Sequence, residues 1–188
     1  MANIKFRTCK QKGKRCLTYK IGKREHLDHV LARRIQSESI SGALPLVYDE
    51  TRSKTSRLFW HTDTLFPLVK VLNKNISVPQ GIAMVKSILP MIQTCYDIRF
   101  PLQNVVFSKQ WVYLEPHPLR LHFVCLPLME VMDGGESPLQ LIVAIISAAK
   151  AETSGEQELQ KWILDWAKSQ AMFSLVEIKG FLATRGLI

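Results

Sequence analysis

Basic side chains crowd the first fifth of the sequence, where they could bind phosphate or carboxylate groups. Residues 1–36 hold eleven Lys and Arg against two acids, Glu25 and Asp28, and the whole chain of 188 residues has a net charge of +9. The basic excess therefore lies in this segment. Such a cluster meets nucleic acid, an anionic membrane surface or an acidic protein, and the alternative is a solvated surface without a ligand. We predict that four cations project from a loop tip and contact the anionic partner: Lys10, Lys12, Lys14 and Arg15.

The sequence lacks the common motifs of enzymes and metal sites. It contains no glycine-rich phosphate loop, no HExxH or CxxC pair and no GxSxG nucleophile. Cys9 and Cys16 could be combined with His26 and His29, but their spacing fits no common structural zinc site. We therefore predict no catalytic, cofactor-binding or metal-binding residue and no enzymatic activity. The cysteines are predicted to be free thiols: Cys9, Cys16, Cys95 and Cys125.

Short strands and one helix are predicted around the basic residues. Alternation of apolar and polar residues predicts strands over 4–7 and 16–21, joined by a polar turn around Gly13. Helical spacing of Leu27, Val30, Leu31 and Ile35 predicts a helix over 24–37 with these four side chains inward. Further patterns predict a hairpin of strands 42–48 and 57–60 with a polar loop over 49–56, and then a helix that ends near residue 72.

The second half of the sequence is mainly helical. Ser77, with Pro79 just inside, predicts a long helix that ends near residue 98, and an apolar stripe predicts that Ile88, Ile92 and Ile145 are buried. Three strands are predicted over 105–107, 111–114 and 120–126, followed by helices that begin at Ser137, at 156 and at the capping sequence of residues 174–177.

This order of elements predicts an α+β protein of one domain. We expect a small β-rich lobe with one or two helices over residues 1–74, and a helical lobe with a short β-hairpin over 75–188. The longest uncharged apolar stretch, residues 139–149, is too short to cross a bilayer, and the first residues lack the apolar core of a secretion signal. We expect a cytoplasmic protein, with the inner face of the membrane as the other site of action.

One segment of the sequence resembles part of a known fold. Residues 77–127 resemble the middle of a protein-kinase fold without its chemistry, because a long helix is followed by the loop DIRFPLQN and by short strands. If Asn104 matches the metal-binding Asn of kinases, Arg99 stands where the catalytic Asp would be, and Val124 or Cys125 stands near the metal-binding Asp. A guanidinium cannot accept the proton of a hydroxyl nucleophile, and neither of the latter two side chains can bind Mg²⁺. This resemblance implies no phosphoryl transfer and no binding of ATP.

Over residues 17–185 the chain resembles a narrower family. The features are the helix around 27–35, ISGALP at 40–45, the strand at 104–107, FVCLP at 123–127 and FSLVE at 173–177. Together they resemble the Firmicutes domain of unknown function that precedes FHA domains, which in turn resembles the pseudokinase-like EssB/YukC subunit of type VII secretion. The resemblance implies a degenerate, minimal kinase-like (pseudokinase) fold. It also implies a protein-interaction or scaffold role beside an FHA-containing protein or a membrane secretion or pilus machine.

The alternative function is a module that binds nucleic acid or an anionic surface through the basic N-terminal segment. Phosphate contacts need only clustered Lys and Arg, which are present. Recognition of single strands adds exposed aromatic side chains, and Phe6 and Tyr19 are the only ones near the cluster. We therefore place a protein partner first.

Overall fold

The structure, a computed structural model, describes residues 5–11, 13–37, 40–47, 57–129 and 135–188. Helices and strands both make up large parts of it, which confirms the α+β class. Within these ranges no helix is long and apolar enough to cross a membrane. The predicted loop over 49–56 lies outside the described residues.

A four-stranded antiparallel sheet forms the N-terminal part, in the order β1-β2-β4-β3. Its strands are β1 (Phe6–Gln11), β2 (Lys14–Lys20), β3 (Leu46–Val47) and β4 (Arg57–His61). Alternate side chains of a strand point to opposite faces, and here Leu17, Tyr19 and Trp60 are buried on the inner face. The inner face belongs to the same core as Leu31 and Ile35 of helix α1 (His29–Ser37). The outer face of the same strands carries polar and basic residues together with Cys16 and Phe59.

Helix α1 begins five residues later than the sequence predicts. Leu27 forms a β-bridge with Leu128, and the Asp28 N–H donates to the carbonyl of Pro127, so this stretch is extended rather than helical. The Asp28 carboxylate then accepts a hydrogen bond from the Leu31 N–H at 3.0 Å. Val30 therefore lies in the first turn of the helix, and the prediction that it points inward is wrong, since 63% of it is exposed.

The long helix α3 (Val78–Asp97) is the centre of the C-terminal part. It begins as predicted, because the Ser77 side chain accepts from the Gln80 N–H and the Gln80 side chain accepts from the Ser77 N–H. Ile88 and Ile92 are fully buried, as is Ile145 of helix α4, so these three predictions are confirmed. The other helices also match their predicted starts within two residues: α4 (Pro138–Ala148), α5 (Ser154–Ser169) and α6 (Leu175–Ala183).

Further short strands pair outside the four-stranded sheet. Strand β5 (Phe66–Pro67) pairs with β8 (Tyr113–Pro116), which pairs with β9 (Leu119–His122), and β6 (Ile76–Ser77) pairs with β11 (Ala149–Lys150). Helix α2 (Leu68–Leu72) begins directly after β5. One core of buried residues includes side chains from both parts.

The strand predicted over 120–126 is interrupted at Phe123. Its second half is β10 (Val124–Cys125), which pairs with β7 (Val105–Val106). Phe123 instead bridges Ala43, and its N–H donates to the Gly42 carbonyl at 2.7 Å. Gly42 has φ of +77°, and a Cβ there would lie 2.9 Å from the Leu121 carbonyl oxygen, so glycine is required for this close approach. Residues 42–44 are consequently not part of the N-terminal sheet, contrary to the prediction of a strand over 42–48.

Candidate functional site

Asn104, which the resemblance to kinases matches with the metal-binding Asn, is held by hydrogen bonds within the fold. It ends a 3₁₀ turn (Leu102–Asn104) and is only 3% exposed. Its side-chain N–H donates to the Leu128 carbonyl at 2.8 Å, and its backbone carbonyl accepts from the Leu126 N–H at 2.8 Å. The amide therefore ties the turn to the chain beyond β10.

The resemblance to kinases also matches Arg99, and Val124 or Cys125, with functional kinase positions. Arg99 is exposed and adopts φ of +53°, the left-handed conformation that ends a helix. Val124 and Cys125 are fully buried in β10. Burial raises the pKa of the Cys125 thiol well above its ordinary value and that of the nearby Cys95 thiol to about 12. Both thiols are therefore protonated and unreactive at neutral pH.

The predicted anion-binding residues lie at the β1–β2 hairpin. Lys10, Lys14 and Arg15 are exposed and belong to the paired strands, next to the turn, and Lys12 lies outside the described residues. Lys10 is opposite Arg15, whereas Lys14 is opposite Gln11, so the three side chains divide between the two faces of the hairpin. Their role in anion binding stays a prediction.

Arg15 is further held by the chain that follows β4. Its N–H donates to the carboxylate of Asp63, and its guanidinium donates to the Asp63 carbonyl oxygen. Arg15 therefore donates hydrogen bonds within the protein. Lys10 and Lys14 are the cations of the described hairpin that are freer to contact a ligand.

A denser group of cations lies at the other end of the sheet. Lys20 is directly opposite Arg57, and Arg7 is directly opposite Thr18, so the side chains of these residues lie on the outer face. Lys5 precedes Arg7 by two residues and therefore lies on the same face. We call the set of Lys5, Arg7, Lys20 and Arg57 the basic face. These four exposed residues line a concavity of about 400 Å³.

The basic face has little negative charge of its own. Glu25 is the single acid among the described residues that line the concavity. It accepts hydrogen bonds from the Tyr19 hydroxyl at 2.6 Å and from the Gly22 N–H. Burial, and then the Glu25 hydrogen bond, raise the pKa of Tyr19, so the hydroxyl stays protonated and keeps donating. Within the described chain no carboxylate lies within 4.0 Å of the four cations. Like charges that share a concavity repel each other unless an anion lies between them.

The aromatic residue that accompanies these cations is Phe59. It lies on the outer face in register with Thr18, between Arg57 and His61 along β4, and is half-buried. Phe6 and Tyr19 cannot serve as stacking partners, because each is only 6% exposed and Phe6 packs against Trp60 and Trp111.

A second concavity, of about 420 Å³, lies between α4 and the segment that joins α5 to α6. Its lining is mostly apolar or uncharged, with Met172 76% exposed, and Lys168 is the one charged residue among the described residues that line it. It therefore lacks the convergence of charge that distinguishes the basic face.

The function of this site has to be inferred from its own residues. The chain matches no protein-family model, and a search of curated proteins returns no match.

Proposed function

We propose that this chain is a non-catalytic binding module with a kinase-like fold, and that its basic face docks an acidic segment of a protein partner. The observation that carries the proposal is the convergence of Lys5, Arg7, Lys20 and Arg57 on one concavity. Glu25, the one acid among its described lining residues, is already bound to Tyr19 and Gly22. An acidic segment would relieve the repulsion among these cations by forming ion pairs with them.

The size and position of the concavity favour a chain segment over an extended polyanion. The four cations are confined to one end of the sheet, next to β1, which is an edge strand. An extended peptide can lie along such an edge and place alternate side chains on the outer face. Lys14 lies at the far end of β2 on the same outer face and would extend the contact.

The kinase-like part of the proposal is supported by the order of elements. Strand β2, which carries Lys20, is followed by α1, as the strand that carries the kinase lysine is followed by a helix. Lys20 itself lies on the outer face, away from the core that α1 joins. The 3₁₀ turn with Asn104 also lies beside β10. Because Asn104 is bound to the Leu128 carbonyl and Arg99 is an exposed cation at the end of α3, a scaffold function fits better than catalysis. We place it beside an FHA-containing protein or a membrane secretion or pilus machine.

Single-stranded nucleic acid is the second candidate ligand, because of Phe59. A half-exposed ring among cations provides one stacking platform for a base, and Arg7, Lys20 and Arg57 would contact the phosphates. One aromatic residue is a small platform, which is why the acidic protein segment comes first.

Fluorescence anisotropy separates these ligands. The probes are a labelled Glu/Asp-rich peptide, a labelled single-stranded oligonucleotide and vesicles that contain an anionic lipid, each at low and at moderate salt. The test variant is Lys20→Glu/Arg57→Glu. Its control is Lys74→Glu/Lys86→Glu, which changes the net charge equally at exposed residues outside the basic face.

We expect the peptide to bind best and the test variant to weaken it by about tenfold or more, since two favourable charge contacts become repulsive. The control variant should bind almost as well as the original chain. Equal weakening by both variants would show that only net charge matters and would overturn the proposal. Stronger binding of the oligonucleotide, with a steep salt dependence, would favour the second candidate.

A further inference from the structure

Two cysteines and a histidine form a row across the outer face of the N-terminal sheet. Cys9 of β1 is directly opposite Cys16 of β2, and Cys16 is directly opposite His61 of β4. The Cys16 Sγ lies 3.5 Å from His61 Nδ1. All three side chains therefore share one face, close to the basic hairpin turn.

We propose that Cys9 and Cys16 are an oxidisable dithiol, with a peroxide as the oxidant, and that His61 assists the closure of their disulfide. Directly opposite residues of an antiparallel pair have Cα atoms about 4.5 or 5.5 Å apart, depending on the hydrogen-bond pattern. Disulfides span Cα separations of about 4.4–6.8 Å, so either pattern allows the bond.

The surroundings of the two thiols give them different roles. Cys9 is partly exposed and can meet the oxidant, whereas Cys16 is 1% exposed. Burial, and then the proximity of Cys9, raise the pKa of Cys16, so this thiol holds its proton until a base takes it. His61 is placed to accept that proton.

The chemistry proceeds in two steps. The Cys9 thiolate attacks one oxygen of hydrogen peroxide, the O–O bond breaks, and a sulfenic acid forms while hydroxide leaves and is protonated to water. Cys16 then loses its proton to His61 and attacks the Cys9 sulfur. The S–S bond forms, the S–O bond breaks, and the oxygen leaves as a second water with the proton from His61. Two thiols and one peroxide thus give one disulfide and two waters.

The disulfide would link β1 and β2 at the residue pair next to Lys10 and Arg15, on the side away from the turn. It would therefore fix the strands that carry the basic hairpin. This inference does not depend on the proposed function, because it rests on the Cys9–Cys16–His61 row alone.

The test exposes the reduced protein to hydrogen peroxide and maps its peptides by mass spectrometry without reduction. We expect a peptide pair joined through Cys9 and Cys16, with loss of two hydrogens, and no link in Cys9→Ser. Cys95 and Cys125, both fully buried, are internal controls that should stay reduced. Dimedone, which traps sulfenic acids, should label Cys9 in Cys16→Ser and leave Cys16 unlabelled in Cys9→Ser.

His61→Phe should slow the closure of the disulfide by about tenfold or more while sulfenic acid forms at the original rate. If Cys16→Ser does not fold, a brief dimedone pulse on the original chain gives the same information about Cys9. Absence of the linked peptide would overturn the proposal, and so would labelling of Cys16 at the same rate as Cys9. Equal rates of disulfide closure in His61→Phe and in the original chain would show that the histidine does not assist closure.

Discussion

Replacement of Asn104 by alanine tests whether this amide is structural rather than a remnant of a metal site. The buried side chain donates to the Leu128 carbonyl at 2.8 Å, and Leu128 is itself 1% exposed. Asn104→Ala removes the donor and leaves that buried acceptor without its partner, which costs about 1–3 kcal/mol. An amide that served a magnesium ion would instead point into an open site, and its loss would hardly change the stability of the chain without metal.

Urea denaturation, followed by circular dichroism, measures the difference. With a slope of about 2 kcal/mol per molar urea, the expected loss lowers the midpoint by roughly 0.5–1.5 M. Gln103→Ala is the matched control, because Gln103 is exposed in the same 3₁₀ turn and should change the free energy of unfolding by less than about 0.5 kcal/mol. An equally small effect of Asn104→Ala would refute the structural role.

Three further outcomes are expected. Ile92→Ala should lower the free energy of unfolding by about 2–5 kcal/mol, because Ile92 is fully buried in α3 and its truncation leaves a cavity; a loss below about 1 kcal/mol in urea denaturation would contradict this. Since the pKa of Tyr19 is raised by burial and by Glu25, the stability that its protonated form gives is present below about pH 10 and declines above it. Tyr19→Phe should therefore lose less stability than the original chain as the pH rises above about 10, and equal pH profiles would speak against the Tyr19–Glu25 bond. Millimolar Mg-ATP should leave the thermal midpoint unchanged, whereas a nucleotide at ~100 times its dissociation constant would stabilise the fold by ~2.7 kcal/mol.

The sequence predicts the helices of the second half well because their signals are local. Ser77 and Gln80 form the capping box that begins α3, and Ser137 and Gln140 do the same for α4. The start of α1 could not be predicted in this way. It depends on the bridge between Leu27 and residue 128, about a hundred positions further along the chain, and tertiary contacts override helical spacing there.

Part of the basic face could be predicted from the sequence. Burial of Leu17 and Tyr19 implies, by alternation along β2, that Lys20 points outward, and the same argument applies to Arg7 beside Phe6. The net charge of residues 1–36 indicates a basic cluster but does not separate the turn from the outer face. Arg57 could not be assigned, because it joins the group only through the register of β4 against β2, which no local pattern specifies.

The basic face is the proposed binding site for an acidic partner. The most direct measurement is a titration of isotope-labelled protein with a Glu/Asp-rich peptide, followed by the chemical shifts of its backbone amides. We predict saturable shifts concentrated in β1, β2 and the start of β4, around Arg7, Lys20 and Arg57, with helices α5 and α6 unaffected. Shifts confined to the concavity around Met172, or no saturable shifts at all, would contradict the account.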